Sequence, residues 1–239
     1  MKINRVLISI VLLLILGIFG YGYSFKKAPQ SVSAISTDNL LAISWQNAFC
    51  ETHPKRRECR NVKPDHYSAS HFTLHGLWPQ PRHKINCPTK ERKIYLEKSL
   101  YQRLLKVMPA AKSGLHRHEW KKHGSCYGKP AKAYFEDAIS LTEQINTSAV
   151  RDLFARNSGK RVTLQQVRLA FNKAFGPGAG RRVKMICKDG LITELWIRLK
   201  GKITPDTSLS SLLKKAPVVT GGCQEGLVDA PGLQRRGRH

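Results

Sequence analysis

The chain has 239 residues, with 41 Lys or Arg against 16 Asp or Glu, so its formal net charge is +25. Its hydrophobic fraction of 41% is that of a packed domain and argues against a disordered polycation. The basic balance indicates an anionic partner, either a nucleic acid or an acidic membrane.

The N-terminus has the layout of a secretory signal peptide. Lys2 and Arg5 precede an apolar run over residues 6–19, which is too short to cross a bilayer as an ordinary helix. Small residues follow the run, so we expect cleavage after Ser24 and a signal peptide over residues 1–24. An uncleaved membrane anchor is the alternative, because no Ala-x-Ala site follows.

Six cysteines lie beyond this leader. Their even number and the export signal favour three disulfides in an oxidising compartment, and residue spacing leaves all 15 pairings open. A zinc site is the alternative, but the chain contains no C-x-x-C pair, so we expect no metal. The cysteines are Cys50, Cys59, Cys87, Cys126, Cys187 and Cys223.

Apolar periodicity predicts the elements of the first half of the chain. A flexible lead-in over residues 25–39 precedes a strand or buried segment over 40–49, a charged loop over 50–66 and a strand over 71–77. Trp78-Pro79 ends that strand because proline cannot continue the ladder. Helices are predicted over residues 91–107 and 115–126.

The second half is predicted to contain three further helices and a hairpin. The helices cover residues 131–145, a segment that ends at Arg156 behind a Thr147 or Ser148 cap, and residues 167–175 behind a Thr163/Gln166 capping box. Strands over 183–187 and 191–199 flank a turn at Lys188-Asp189-Gly190, and a basic flexible tail occupies 227–239. Because no repeat or long linker interrupts residues 40–226, we expect one α+β domain there.

Two segments concentrate residues that can perform acid–base chemistry. In the first, His75 lies near a predicted strand end and is followed by Gly76, which lets a backbone or a ligand approach closely. The second reads His118-Glu119-Trp120-Lys121-Lys122-His123-Gly124-Ser125-Cys126. A structural histidine and a solvated basic helix are the corresponding non-catalytic alternatives.

On a regular helix, the second segment presents four of its polar residues to one side, while Trp120 and Lys121 point elsewhere. Within an arc of about 140° lie His118, Glu119, Lys122 and His123. This face combines two imidazoles, one ammonium and one carboxylate. Zinc proteases need H-E-x-x-H, whereas the H-E-x-x-x-H spacing here splays the imidazoles, so we exclude that class.

Two histidines and a lysine can cleave an anionic polymer without a metal. One imidazole can remove the proton of a ribose 2′-hydroxyl while the other protonates the departing 5′-oxygen, since the histidine pKa lies near working pH. A lysine beside the phosphoryl oxygens stabilises the charge of the transition state. DNA lacks the 2′-hydroxyl, so this constellation predicts RNA as the substrate.

These segments carry a family resemblance. Leu74-His75-Gly76-Leu77-Trp78-Pro79 and the segment from His118 to Cys126 resemble the two active-site segments of the ribonuclease T2 family, whose members are metal-independent and usually non-base-specific endoribonucleases. The length, the leader and the Val107-Met108-Pro109-Ala110 region resemble the bacterial periplasmic ribonuclease I branch. The resemblance implies cleavage by transesterification through 2′,3′-cyclic phosphates to 3′-phosphate ends.

The resemblance also implies residue roles. His123 would be the base and His75 the acid, while Glu119 and Lys122 would stabilise the transition state. His118 would bind phosphate and Trp78 would stack on a base. Gln80 replaces an aspartate that helps some relatives to select a base, so we expect weak or no base preference.

The family further implies a central antiparallel sheet with packed helices. It implies the disulfides Cys87–Cys126 and Cys187–Cys223, which leaves Cys50–Cys59. We expect a monomer in the periplasm or secreted, without a cofactor and without stable membrane association after signal removal. Candidate phosphate contacts are Lys121, Lys129, Lys132, Arg181, Arg182 and the Arg235-Arg236-Gly237-Arg238 tail. A catalytically silent polycation that binds RNA or membrane is the alternative function.

Overall fold

The computed structural model describes residues 34–60 and 62–232. The predicted signal peptide over residues 1–24 and the arginines of the basic tail lie outside these residues. Within the described ranges, no helix is both long and apolar enough to span a membrane.

A six-stranded sheet forms the centre of the described part. The strand order is β2-β1-β5-β6-β3, and β4 pairs with the free side of β5 off this path. All strand pairs are antiparallel except the short parallel contact of β5 with β6. The strands are β1 (Asp38–Trp45), β2 (Phe72–Pro79), β3 (Arg161–Thr163), β4 (Val183–Lys188), β5 (Leu191–Lys200) and β6 (Glu225–Leu227). The predicted α+β fold with a largely antiparallel central sheet is confirmed.

Helices pack around this sheet, and among them α5 lies against β2. The α-helices are α1 (Gln46–Thr52), α2 (Tyr67–Ser70), α3 (Lys98–Val107), α4 (Leu115–Lys122), α5 (Ala131–Asn146), α6 (Ala149–Arg156), α7 (Leu164–Phe175) and α8 (Leu209–Lys215). Short 3₁₀ turns occupy Arg57–Cys59, Pro109–Ser113, Gly124–Cys126 and Ala179–Arg182.

One face of the sheet forms the core and the other remains partly open. Along β5, Leu195 and Ile197 are fully buried, whereas Glu194, Trp196 and Arg198 alternate with them and are partly exposed. This alternation is typical of an antiparallel sheet with one solvated face. Charged and aromatic side chains of β5 therefore gather on the open face.

Several sequence predictions are confirmed. The Ser148 side chain caps α6, and Thr163 and Gln166 form the capping box of α7. The β4–β5 hairpin turns at Asp189 and Gly190, both with positive φ. The disulfides are Cys50–Cys59, Cys87–Cys126 and Cys187–Cys223, which are the pairs that the resemblance implied.

The predicted helix over residues 91–107 begins too early, because α3 starts at Lys98. The Glu91 carbonyl accepts a hydrogen bond from Trp120 Nε1 (2.7 Å). The Glu91 carboxylate accepts another from the backbone N–H of Ala131 (2.8 Å). Glu91 is thus bonded to α4 and α5 and does not itself belong to a helix.

The predicted limits of the domain are also too narrow. Strand β1 begins at Asp38, two residues inside the predicted lead-in, and ends at Trp45 where α1 takes over. At the other end, Leu227 belongs to β6, and Val228 and Asp229 are buried. The Asp229 carbonyl accepts a hydrogen bond from the Trp45 indole (2.8 Å), so the start of the predicted tail is part of the core.

Candidate active site

His75 lies at an irregularity of strand β2. Ala42 of β1 pairs with Gly76 and Ile43 pairs with Leu74, so His75 is the extra residue of a β-bulge. Bulges re-aim a side chain and occur often beside active sites. On the open face, His75 Nδ1 lies 2.6 Å from Oε1 of Glu194 on β5.

Helix α4 supplies the buried carboxylate of the site. Glu119 is only 2% exposed, and its Oε1 lies 3.8 Å from Nε2 of His75. Trp78 Nε1 donates a hydrogen bond of 2.8 Å to the other oxygen, Oε2. The helix thus places a carboxylate between the ring of His75 and the indole of Trp78.

His123 lies just beyond the end of α4. The predicted helix over residues 115–126 is wrong at this point, because α4 stops at Lys122 and His123 adopts φ −120° and ψ −49°. The predicted sharing of one helical face therefore does not include His123. The following Gly124 packs against the Trp120 ring so closely that a Cβ there would overlap the ring, which favours glycine at this position.

Trp78 joins the two histidines. Its ring centroid lies 5.2 Å from that of His75 in an edge-on contact and 5.1 Å from that of His123 in a stacked contact with an interplanar angle of 29°. Trp196 adds a further edge-on contact at 5.6 Å. The two imidazoles therefore contact the same indole, although they come from different elements.

Gly76 allows this close assembly. A Cβ at position 76 would overlap both Glu119 Oε2 and Trp78 Nε1. The sequence predicted that a backbone or a ligand approaches this glycine closely, but the groups that approach it are the side chains of Glu119 and Trp78.

The two histidines have opposite pKa shifts. Burial lowers the pKa of His75, but its hydrogen bond to Glu194 and the charges of Glu194 and Glu119 outweigh burial, so the pKa is raised above 6.5. Burial together with the charges of Lys122 and His118 lowers the pKa of His123 to about 4. Compared with a free histidine, His75 therefore holds its proton more strongly, and His123 loses its proton more readily.

Glu119 and Lys122 add to this electrostatic arrangement. Burial raises the pKa of Glu119, while the charge of His75 and the hydrogen bond from Trp78 partly oppose that effect. The Lys122 ammonium lowers the pKa of both His75 and His123, so its positive charge acts on both rings.

The other two predicted site residues lie at the margins. His118 is exposed and lines a cavity of about 420 Å³ together with His75, Glu194, Arg56 and Ser113. Pro109 and Ala110, from the region that resembles the ribonuclease I branch, line the same cavity.

Gln80 follows the end of β2. Its side-chain amide donates to the carbonyl of Trp78 (3.1 Å), so the amide folds back onto its own chain.

The sequence reasoning missed the contribution of strand β5. Glu194 holds His75, and Trp196 contacts Trp78. The cations of Arg82 and Lys184 lie 5.5 and 5.9 Å from the Trp196 ring centroid. Strict alternation along β5 places Glu194 and Trp196 on one face, but only the sheet order shows that this face carries the site.

Two candidate phosphate contacts have protein partners instead. Lys129 forms an ion pair of 2.6 Å with Asp137 and also donates to the carbonyl of Ile203. Lys132 forms an ion pair of 2.9 Å with Glu97. The Lys129 ammonium is largely buried in its ion pair and is therefore unavailable to RNA, whereas the Lys132 pair is exposed on the surface.

Comparison with known proteins gives a consistent match. The model of the Ribonuclease T2 family matches residues 38–210. Ribonuclease I of Escherichia coli (strain K12) is 30% identical over 200 residues, covering 67% of this chain and 74% of that protein. Ribonuclease S-2 of Pyrus pyrifolia is 35% identical over 170 residues, covering 64% and 72%. The crystal structure of the SF11-RNase of Nicotiana alata has the same fold, with a TM-score of 0.53 and 19% identity over 74% of this chain and 96% of that chain.

Proposed function

The chain belongs to the ribonuclease T2 family and is an RNA-cleaving enzyme, and we propose that it cleaves single-stranded RNA by internal transesterification. In this reaction the ribose 2′-oxygen attacks the adjacent phosphorus, the bond to the 5′-oxygen breaks, and a 2′,3′-cyclic phosphate forms. Water then opens the cyclic phosphate to a 3′-phosphate. The resemblance to Ribonuclease I supports the predicted placement in that branch.

The observation that carries the proposal is the pair of histidines with opposite charge preferences around one indole. A neutral His123 can accept the proton of the 2′-hydroxyl, and a charged His75 can donate a proton to the leaving 5′-oxygen. General acid–base catalysis needs one ring in each protonation state at the same pH. The direction of proton transfer expected from the resemblance is therefore the one that the electrostatics favour.

Lys122 and Glu119 would act on the phosphoryl group. The Lys122 ammonium can stabilise the negative charge that develops on the non-bridging oxygens. Burial raises the pKa of Glu119, so this carboxyl takes up a proton more readily than a free glutamate, and once protonated it can donate a hydrogen bond to one of those oxygens.

The open face of the sheet offers a surface for RNA. Trp78 and Trp196 are partly exposed, and Arg82 and Lys184 flank the Trp196 ring. Aromatic rings beside cations bind single strands with little base selectivity. His118 would hold a phosphate at the edge of the cavity beside His75. Because the Gln80 amide folds back onto the main chain, we propose weak base preference.

We further propose that the protein acts as a monomer in the periplasm or outside the cell, without stable membrane association. The basis for the location is the leader predicted over residues 1–24 together with three disulfides, which persist in oxidising compartments.

The test is incubation of the purified protein with RNA and with single-stranded DNA in the presence of EDTA, followed by analysis of product ends. We expect cleavage of RNA alone, cyclic phosphates before 3′-phosphates, and loss of cleavage in His75→Ala and His123→Ala. His66→Ala is the matched control, since His66 is exposed outside the site. Salt-sensitive RNA binding without turnover would instead show a silent polycation, and would contradict the proposal.

A further inference from the structure

We propose that Glu194 is a positioning residue that holds His75 in the orientation and charge state of a general acid. The inference rests on the proposed function, because it assigns His75 to the leaving 5′-oxygen. Neither segment that carries the family resemblance includes Glu194, which belongs to strand β5.

The two nitrogens of His75 face different groups. Nδ1 lies 2.6 Å from Glu194 Oε1, while Nε2 points to the other side of the ring, 3.8 Å from Glu119 Oε1. A carboxylate that accepts the Nδ1–H bond fixes the ring orientation and leaves Nε2 to exchange a proton with substrate. His123 has no comparable support, since its Nδ1 is buried without a hydrogen-bond partner among the described residues.

Sheet geometry explains how Glu194 reaches His75. Strand β1 separates β2 from β5, and neighbouring strands are about 4.8 Å apart, so the two side chains must meet across an entire strand. Ser44 of β1 pairs directly with Glu194 and is small enough to leave the space between them open. The bulge at His75 turns the imidazole toward this space.

Glu194 is itself held in place and kept charged. Trp196 Nε1 donates to its Oε2 over 2.6 Å, and the Ser44 hydroxyl donates to its Oε1 over 3.2 Å. Burial raises the pKa of Glu194, but the bonds from His75, Trp196 and Ser44 outweigh it and lower the pKa. The three hydrogen-bond donors therefore stabilise the ionised form of the Glu194 carboxylate.

The two proton transfers of the reaction show what the Glu194 carboxylate would do. When the bond between phosphorus and the 5′-oxygen breaks, Nε2 of the charged His75 gives its proton to that oxygen. The ring is then neutral, with its remaining proton on Nδ1 in the bond to Glu194. His123 meanwhile receives the proton of the 2′-hydroxyl as the bond from the 2′-oxygen to phosphorus forms.

Other charged groups also face His75 and must be separated from the effect of Glu194. Lys122 lowers and Glu119 raises the pKa of His75. The other titratable or charged groups near His75 are His118 on α4 and His123 just after that helix. Arg56 and Glu58 lie in the wall of the cavity that His75 also lines. Replacing Glu194 alone leaves all of these groups unchanged.

A comparison of two substrates tests the inference. A dinucleoside phosphate has a poor leaving group that needs a proton, whereas the 4-nitrophenyl ester of a nucleoside 3′-phosphate releases a weakly basic phenolate. For Glu194→Gln we expect kcat/KM on the dinucleoside phosphate to fall about 10- to 100-fold, less than the 10²–10⁴ of a whole proton-transfer group. On the nitrophenyl ester we expect a change below about 3-fold.

A titration of His75 by NMR provides a readout independent of activity. We expect its pKa to fall in Glu194→Gln, and the alkaline limb of kcat/KM to move to lower pH with it. Glu225→Gln is the matched control, because Glu225 is an exposed carboxylate on β6 paired with Arg161. Equal losses on both substrates, or an unchanged His75 pKa in the folded variant, would overturn the inference. An inactive wild-type protein would instead refute the proposed function, with the titration still testing Glu194.

Discussion

Trp78 Nε1 donates a hydrogen bond of 2.8 Å to Glu119 Oε2, which joins two segments that lie 41 residues apart in the chain. One segment ends strand β2, and the other is a turn of helix α4. The bond fixes the indole that both His75 and His123 contact, so the distance between the two imidazoles depends on it. Disturbing this contact should therefore affect catalysis more than stability.

Gly76→Ala is the smallest change that disturbs it. The new Cβ would overlap both Glu119 Oε2 and Trp78 Nε1, so these groups must move apart. Because a displacement of about 1 Å can cost roughly 10²-fold in rate, we expect kcat/KM for RNA to fall by about that factor. Thermal unfolding of the same sample separates this effect from loss of the fold. Wild-type activity in a folded Gly76→Ala protein would show that the close packing is unnecessary.

The pH dependence of kcat/KM should report the two histidines. We expect a bell with its acid limb near the His123 pKa of about 4 and its alkaline limb above 6.5, where His75 loses its proton. Lys122 lowers the pKa of both rings, so Lys122→Gln should move both limbs to higher pH. It should also reduce the maximum about 10²-fold or more through lost charge stabilisation.

The neighbouring Lys121 supplies the control for that shift. It lies on the same helix but is exposed. Lys121→Gln should leave both limbs where they are. If Lys122→Gln moves only one limb, or moves the two in opposite directions, Lys122 does not act on both rings as described.

The lowered pKa of His123 predicts an acid-sensitive fold. The unfolded histidine titrates near 6.5 and the folded one near 4, so unfolding takes up a proton in this window. The contribution of His123 to the free energy of unfolding is therefore present above pH 6.5 and lost as the pH falls to 4. We expect His123→Asn to lose less stability than the wild type between pH 7 and 4, measured by urea unfolding. An identical loss in both proteins would contradict a neutral, buried His123.

The disulfides should contribute unequally to stability. In the loop-entropy relation, closing a loop of about 39 residues restricts the unfolded chain by about 4 kcal/mol, and a loop of about 9 residues by about 2.5 kcal/mol. We expect Cys87→Ala/Cys126→Ala to lower the free energy of unfolding more than Cys50→Ala/Cys59→Ala does. Urea titrations of the two double variants give the comparison, and the reverse order would contradict a stability set by loop length.

Much of the fold was predictable because its signals are local. The Thr163 and Gln166 capping box and the Asp189-Gly190 hairpin turn depend on neighbouring residues, and the structure confirms them. Residues 91–97 have helical spacing but are not helical, because Glu91 bonds to Trp120 and to the start of α5. Such long-range bonds override local periodicity.

The two motifs of the candidate site were predictable from the sequence, but the contribution of strand β5 was not. His75, Glu119 and His123 lie in segments whose residue types indicate acid–base chemistry. Glu194 lies 119 residues beyond His75, and no local pattern connects them. Their contact depends on the strand order β2-β1-β5 and on a bulge, neither of which can be read from residue spacing.

The roles of the two histidines can be separated most directly by the leaving group. His123→Ala should lose about 10²- to 10⁴-fold in kcat/KM on both a dinucleoside phosphate and a nucleoside 3′-(4-nitrophenyl phosphate), because both substrates need the 2′-hydroxyl deprotonated. His75→Ala should lose as much on the dinucleoside phosphate but retain activity within about 10-fold of wild type on the nitrophenyl ester. Retention of the nitrophenyl reaction by His123→Ala, with its loss in His75→Ala, would show that the two proton transfers are assigned the wrong way round.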